Sequence, residues 1–374
     1  MPDSGKVYRF LELDVLRGFA AIAVLVHHYT ARYDDFFGHM PGVPRFEVGA
    51  YGALLFFMIS GFVIFMTLER TRNWLDFVVS RCSRILPAYW LAVVLTFTVI
   101  SLAGLPGREV SLAVAVANIS MLQEYLSIEH VDGVYWTLTI ELGFYLIMLA
   151  LYRARLLKRV NAVAICWLAL AIGVRAISDI FNVDLPKPVK LVLLLDFAHL
   201  FIAGILTYKV WRDGFSVPRV GLLLGCVLTH WYLYDFANAI LISMFLGLVM
   251  SASQGWIHWI AIRPLIFLGT ISYSLYLVHQ NIGYVILRAS YSLGLNPYLG
   301  MFVATVVVLG VATLITFNVE KPAMRTVRQW YIRVAASSRG AVTDVGRCTQ
   351  RHRTKRGSLN EAADPVRRPD CEQD

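Results

Sequence analysis

Two side chains that a lipid bilayer would ordinarily exclude, Arg17 and His28, stand eleven residues apart in an otherwise apolar run. On a helix, eleven steps make three turns plus about 20°, so both side chains point the same way, about 16 Å apart along the axis. An imidazole can move a proton or carry an acyl group near neutral pH. A guanidinium is a permanent cation that suits phosphate and carboxylate. Glu141 and His279 interrupt two later apolar runs, and Arg81 and Arg84 lie one helical turn apart at the head of another, spaced to meet one polyanion together. The pattern reads as a site fed from two sides, with phosphates held near one membrane surface and proton transfer or acyl chemistry nearer the other. Each residue taken alone has a plainer reading. A buried histidine can serve helix–helix hydrogen bonding, Arg81 and Arg84 can anchor a membrane edge, and Arg17 can snorkel. Their combination favours chemistry.

The elements that must position these groups follow from composition. Of 374 residues, 57% are hydrophobic and only 16% charged, with mean hydropathy +0.61. Soluble chains carry about 25% charged residues, so a soluble globule, a disordered chain or a nucleic-acid binder is excluded as the main reading. Spans of about 20 apolar residues are needed to cross a bilayer. Ten are predicted, at 13–30, 49–67, 85–104, 134–152, 161–179, 191–209, 219–234, 236–251, 264–287 and 298–318. The fold class is therefore all-α integral membrane, with about ten transmembrane helices. The seventh and eighth are separated only by Tyr234, Asp235 and Phe236, so a single broken element there would change the count.

With the N-terminus inside, the inner connections hold fourteen Lys and Arg and the outer ones six. Positive loops stay cytoplasmic, which predicts both termini inside and explains part of the net charge of +9. In that orientation Arg17 lies in the inner half of its helix. His28, Glu141 and His279 share a depth in the outer half. The chain then divides into a cytoplasmic N-terminus (1–12), a membrane domain (13–320) and a basic cytoplasmic tail (321–374). The tail is too polar to bury a core and is expected to be disordered, with Arg351 to Arg356 able to meet anionic lipid headgroups.

Several features carry less. The five cysteines lie far apart with no paired metal-ligand spacing, so neither a disulfide framework nor a metal site is expected. Residues 13–29 resemble a leader in hydropathy but contain Arg17, His27 and His28 and lack a cleavage pattern, so they are read as a retained helix. Asp196 and His199 are spaced to pair, as are Arg175 and Asp179, and His230 sits among aromatics. Ser60 and Gly61 suit a close helix crossing. The outer loops, about 31–48 and 105–133, offer Tyr33, Asp34, Asp35, Glu124, Tyr125 and Asp132 to sugar hydroxyls or simply to solvent. No internal repeat is apparent, which counts against a transporter built from inverted halves.

Five segments, in order, resemble the membrane acyltransferase 3 family. Leu13-Asp14-Val15-Leu16-Arg17-Gly18-Phe19-Ala20-Ala21 followed by His28 resembles its first-helix signature, an Arg, ten residues, then His. Phe56-Phe57-Met58-Ile59-Ser60-Gly61-Phe62 is similar to its second-helix phrase, and Arg81-Cys82-Ser83-Arg84-Ile85-Leu86-Pro87 to its basic pair leading into Pro and aromatics. Trp136-Thr137-Leu138-Thr139-Ile140-Glu141 resembles its Trp-to-Glu segment, and Ser272-Tyr273-Ser274-Leu275-Tyr276-Leu277-Val278-His279 its late helix.

The resemblance implies transfer of an acyl group, usually acetyl, from cytoplasmic acyl-CoA to a hydroxyl of a carbohydrate, free or lipid-linked, or of a secreted molecule such as a macrolide. By position it makes His28 the catalytic residue, with Arg17 as its motif partner and Glu141 beside them. Arg81 and Arg84 would hold acyl-CoA, and His279, Asp14, Ser60 and Trp136 would bind substrate or support the site. His27 precedes His28, but the spacing from Arg17 selects His28. The expected partners are acyl-CoA, an envelope glycan and membrane lipids, with no metal and no nucleic acid, in a bacterial inner membrane. A transporter or flippase of a glycan precursor is the chief rival, followed by a non-catalytic scaffold of an envelope assembly complex.

Overall fold

The computed structural model describes residues 9–334 other than 39 and 41, and the regular elements among them are all helical. The described residues divide into two units, one ending at Ala323 and one beginning at Met324. The described part of the second, 324–334, is helix. The expectations for the first eight residues and for the tail past residue 334 lie outside the described residues.

The first unit contains α1 (Leu11–His27), α2 (Tyr33–Phe37), α3 (Gly52–Arg70), α4 (Trp74–Ala103), α5 (Leu112–Asn118), α6 (Trp136–Arg153) and α7 (Val160–Phe181). It continues with α8 (Lys187–Val192), α9 (Ala198–Asp213), α10 (Val217–Leu233), α11 (Phe236–Ser253), α12 (Arg263–Val278), α13 (Gln280–Ser292) and α14 (Pro297–Ile315). Among the described residues six helices, in the runs holding α3, α4, α6, α7, α11 and α14, are long and apolar enough to cross a membrane. Helices also stand at the other four expected places, shorter at 16 or 17 residues for α1, α9, α10 and α12.

Residues 219–251 form two helices, as read from the sequence, with the Asp235 side chain accepting the Asn238 N–H at 2.8 Å where α11 starts afresh. Other expected spans differ in their bounds. The sixth span begins at Ala198, not 191, since residues 193–197 are turns with Leu194 at φ +51°. The ninth is broken at His279. A continuous helix would pair the Asn281 N–H with Leu277, but here it donates to Asp132 at 3.0 Å, while the Tyr29 hydroxyl donates to the His279 carbonyl at 3.0 Å. The first span does not stay α-helical to its end either: His28–Arg32 is a π-helical turn, a feature frequent at functional sites.

Two crossings set the core. α1 packs on α12 at Gly18, where an added Cβ would lie 2.8 Å from the Gly269 nitrogen. α3 packs on α9 at Gly61 and Gly204, where a Cβ would collide with the carbonyls of Phe201 and Met58. Small residues let backbones meet where lipid gives no hydrophobic drive to helix association. These two crossings bring α1, α3 and α12 together, with α6 against α3.

Candidate active site

His28 opens the π-helical turn at the end of α1. Its Nδ1 lies 3.1 Å from the hydroxyl of Tyr284 on α13, and its ring centroid is 5.0 Å from that of His279. The His279 Nδ1 contacts the Tyr276 carbonyl at 2.9 Å. A carbonyl can only accept, so Nδ1 carries the proton and Nε2 keeps its lone pair. That Nε2 is buried without a hydrogen-bond partner. Two imidazoles thus sit ring to ring, each tied through Nδ1.

The His28 ring borders a chamber of about 220 Å³. Its wall includes His27, His28, Arg32, Arg108, Trp136 and Gln280. Arg108 comes from the loop after α4 and Arg32 from the π-helical turn, and both guanidinium groups lie against the Phe36 ring, 3.5 and 4.4 Å from its centroid. Such cation–π contacts orient a charge without neutralising it. Beneath the chamber, buried Asp132 caps the turn before α6 and accepts the backbone N–H groups of Val134 (3.2 Å) and Asn281 (3.0 Å). Burial pushes its carboxyl up to about 7, against the pull of those hydrogen bonds and of Arg108.

A second, tighter cavity of about 40 Å³ adjoins the first, and Ala53 and Tyr276 line both. Arg17, Ser60 and Glu141 border it. The Glu141 Oε1 accepts from Ser60 at 3.1 Å and from the Tyr145 hydroxyl at 2.5 Å. Arg17 feels Arg84, Glu141 and Asp14 electrostatically, and Arg81 feels Arg84, Glu141 and Tyr145. Arg81 also donates to the Thr67 hydroxyl at 3.3 Å, while its buried Nε has no partner. Two cations, Arg17 and Arg81, therefore share one carboxylate, with Arg84 close enough to repel both. Glu320, which ends the apolar run in sequence, is buried as well, accepts from Ser274 at 3.1 Å and interacts with Arg84 and Arg17.

The structure sorts the sequence-expected residues into two groups. Arg17, Glu141 and Ser60 line the tight cavity, with Arg81 and Arg84 in electrostatic reach of Arg17, and His28 and Trp136 line the wide one, with the His279 ring against His28. Glu141 lines the cavity with Arg17, and its Oε1 accepts from Ser60 and Tyr145, because α6 faces α3 and α4 there. Asp14 lies off both cavities, 2.9 Å from Arg9. His199 pairs with His230 at 2.7 Å and not with Asp196. Arg175 and Asp179 do pair, at 3.0 Å. Of the loop carboxylates, Asp35 is held by Arg45 at 2.8 Å and Glu124 by Lys187 at 2.6 Å.

Tyr284, Tyr145, Gln280 and Glu320 were not singled out from the sequence. Tyr284 lies five residues past His279, a spacing without meaning until the helix breaks there. Arg32 and Arg108 were visible only as outer-loop cations. Cys82, Cys166 and Cys226 are free, and among the described residues no group of three or more His, Cys, Asp or Glu is placed to hold a metal.

The chain is 26% identical over 321 residues to the exopolysaccharide production protein ExoZ of Rhizobium meliloti (strain 1021), covering 79% of this chain and 96% of that protein. It is 25% identical over 350 residues to nodulation protein 10 of Rhizobium leguminosarum bv. viciae, covering 83% of this chain and 92% of that one. No solved structure matches it. The model of an acyltransferase domain matches residues 10–317, the stretch that holds both cavities and every helix lining them, and the chain therefore belongs to the acyltransferase 3 family.

Proposed function

We propose that this acyltransferase moves an acetyl group from cytoplasmic acyl-CoA to a hydroxyl of an envelope or secreted carbohydrate, across a membrane domain of about ten helices with both termini inside. The observation that carries the reading is the shared wall at Ala53 and Tyr276, which joins a cavity bordered by Arg17 and Glu141 to a histidine-bordered one. Acyl-CoA is too polar to cross a bilayer, but its pantetheine arm is long and thin. Arg81 and Arg84 would hold its phosphates at the inner surface, and the arm would run past Arg17. The tight cavity has room for about three waters, so side chains there must move aside as the arm enters. The names of the two relatives, one in exopolysaccharide production and one in nodulation, support a carbohydrate acceptor made by a bacterium and modified at its inner membrane.

In this reading the acceptor hydroxyl, free or lipid-linked, enters the wide chamber. His28 donates through Nδ1 to the Tyr284 oxygen, which leaves Nε2 as the base. Nε2 takes the hydroxyl proton, the alkoxide oxygen attacks the thioester carbonyl, the C–S bond breaks, and the thiolate of CoA recovers the proton. The alternative route places the acyl group on Nε2 first. A stoichiometric burst of free CoA without acceptor marks the covalent route, and its absence marks direct transfer.

The test is transfer from radiolabelled acetyl-CoA in inverted membrane vesicles, with an extract of the source's envelope glycans as acceptor. Label entering glycan with wild type and not with His28→Ala supports the reading. Movement of glycan without acylation would favour a transporter instead.

A further inference from the structure

The chamber bordered by His28 has in its wall an arginine that makes no ion pair among the described residues. Two arginines and two histidines are in its wall, and no Asp or Glu is among its described lining residues. Arg32 makes one contact with Asp35 at 3.3 Å, but Asp35 is held more closely by Arg45 at 2.8 Å. Arg108 makes no ion pair among the described residues. Its neighbour Glu109 spends its carboxylate on the Leu105 N–H at 3.2 Å, and Asp132 spends both oxygens on backbone N–H groups.

Arg108 is also held ready. Leu105 is fully buried, the Arg108 N–H donates back to the Leu105 carbonyl at 2.9 Å, and Gly104 and Gly107 take φ of +71° and +75° to make that turn. Side chains other than glycine rarely adopt such φ. The guanidinium, half-buried on Phe36, thus faces the chamber from a fixed turn, and burial lowers its pKa. The groove beyond Trp136 offers a contrast. It is about 480 Å³ and holds Lys187 and Lys190, but these are paired with Glu124 at 2.6 Å and Asp184 at 2.7 Å. Unpaired charge is concentrated where the acylated hydroxyl would sit.

From this arrangement we infer that the acceptor is an acidic sugar, and that Arg108, with Arg32, binds an anionic group, carboxylate or phosphate, on or next to the residue that is acylated. This rests on the acyltransferase reading above. A guanidinium fork matches both anions bidentately, and Arg108 has no ion-pair partner among the described residues until such a substrate arrives. A neutral sugar would leave Arg108 half-desolvated and unpaired.

The experiment fractionates the envelope glycans of the source by anion exchange and offers each fraction, with labelled acetyl-CoA, to vesicles carrying wild type, His28→Ala, Arg108→Gln or Arg108→Lys. Label is expected in the acidic fraction. It should be lost after carbodiimide–borohydride reduction if the anion is a carboxylate, and after hydrofluoric acid dephosphorylation if it is a phosphate. Charge-assisted hydrogen bonds of this kind set the expected KM of Arg108→Gln for that fraction at about tenfold or more above wild type. Its kcat should be nearly kept, and Arg108→Lys should recover part of the loss. His28-dependent label in the neutral fraction, or label indifferent to both treatments, would overturn the acidic acceptor while leaving the acyltransferase standing. Equal loss of kcat in Arg108→Gln with unchanged KM would assign Arg108 to the reacting carbonyl and overturn the proposal as well. No His28-dependent label in any fraction would overturn the acyltransferase reading itself.

Discussion

The Nδ1 of His28 and the hydroxyl oxygen of Tyr284 lie 3.1 Å apart although 256 residues separate them in the chain. The contact orients the His28 ring, and in the acyltransferase reading it takes the Nδ1 proton and leaves Nε2 as the base. Tyr284→Phe removes it and little else, because Tyr284 is otherwise packed among Phe36, Phe37 and Tyr33. A hydrogen bond of about 1 kcal/mol that orients the base corresponds to roughly a five- to tenfold fall in kcat. KM for both substrates should stay near wild type. Steady-state kinetics in vesicles checks it, and an unchanged kcat would remove Tyr284 from the mechanism.

Glu141 answers to two arginines at once, Arg17 and Arg81. Glu141→Gln keeps the shape and leaves both without their shared carboxylate. Deleting one partner of a fully buried charge pair costs about 3–5 kcal/mol, and half-buried Glu141 is expected to fall below that range. Both transfer activity and the melting temperature in detergent are expected to fall. Ser60→Ala, which removes one neutral donor to the same oxygen, should cost only about 1 kcal/mol. If the two variants melt alike, the cluster is not organised around Glu141.

Arg84 is expected to recognise the nucleotide end of the donor, not its thioester. Arg84→Ala should raise KM for acetyl-CoA with kcat largely retained. The sharper measurement compares acetyl-CoA with acetyl-pantetheine, which lacks the nucleotide phosphates. Wild type should prefer acetyl-CoA strongly and the variant should discriminate little. Equal discrimination by both proteins would place the phosphates elsewhere.

Much of this site is written locally, and what is not follows from helix crossings. The eleven-residue interval between Arg17 and His28 fixes their shared face through helix geometry alone, and the two residues line adjoining cavities. The turn from Arg81 to Arg84 is equally local. The partners of Glu141 are not legible locally, because they are chosen by how α6 meets α3 and α4, which Ser60, Gly61 and Tyr145 settle together. The break at His279 was invisible for a similar reason. Residues 264–287 are apolar enough for one helix, and only Asp132, 149 residues upstream of Asn281, takes the N–H that ends it. Arg108 lies in a loop whose sequence says solvent, and Gly104 and Gly107 turn it inward.

Asp132 gives that break a pH dependence whose sign is fixed by its environment. Its carboxyl is raised from 3.8 to about 7 by burial, so between those values the folded protein holds a proton that the unfolded chain has released. Stability from this group is complete below pH 3.8 and is lost as pH rises towards 7, at about 1.4 kcal/mol per pH unit, with no further change above. Melting temperature in detergent should therefore fall between pH 5 and 7 and level off beyond. Asp132→Asn cannot titrate. Its amide also turns an N–H towards one of the two backbone donors that the carboxyl now accepts, which costs about 1–3 kcal/mol. The variant should melt lower than wild type at pH 5 and lose the Asp132 part of the slope, so that the two curves converge towards pH 8. Parallel curves would mean that Asp132 is already ionised in the fold, and that its two hydrogen bonds, not burial, set its charge.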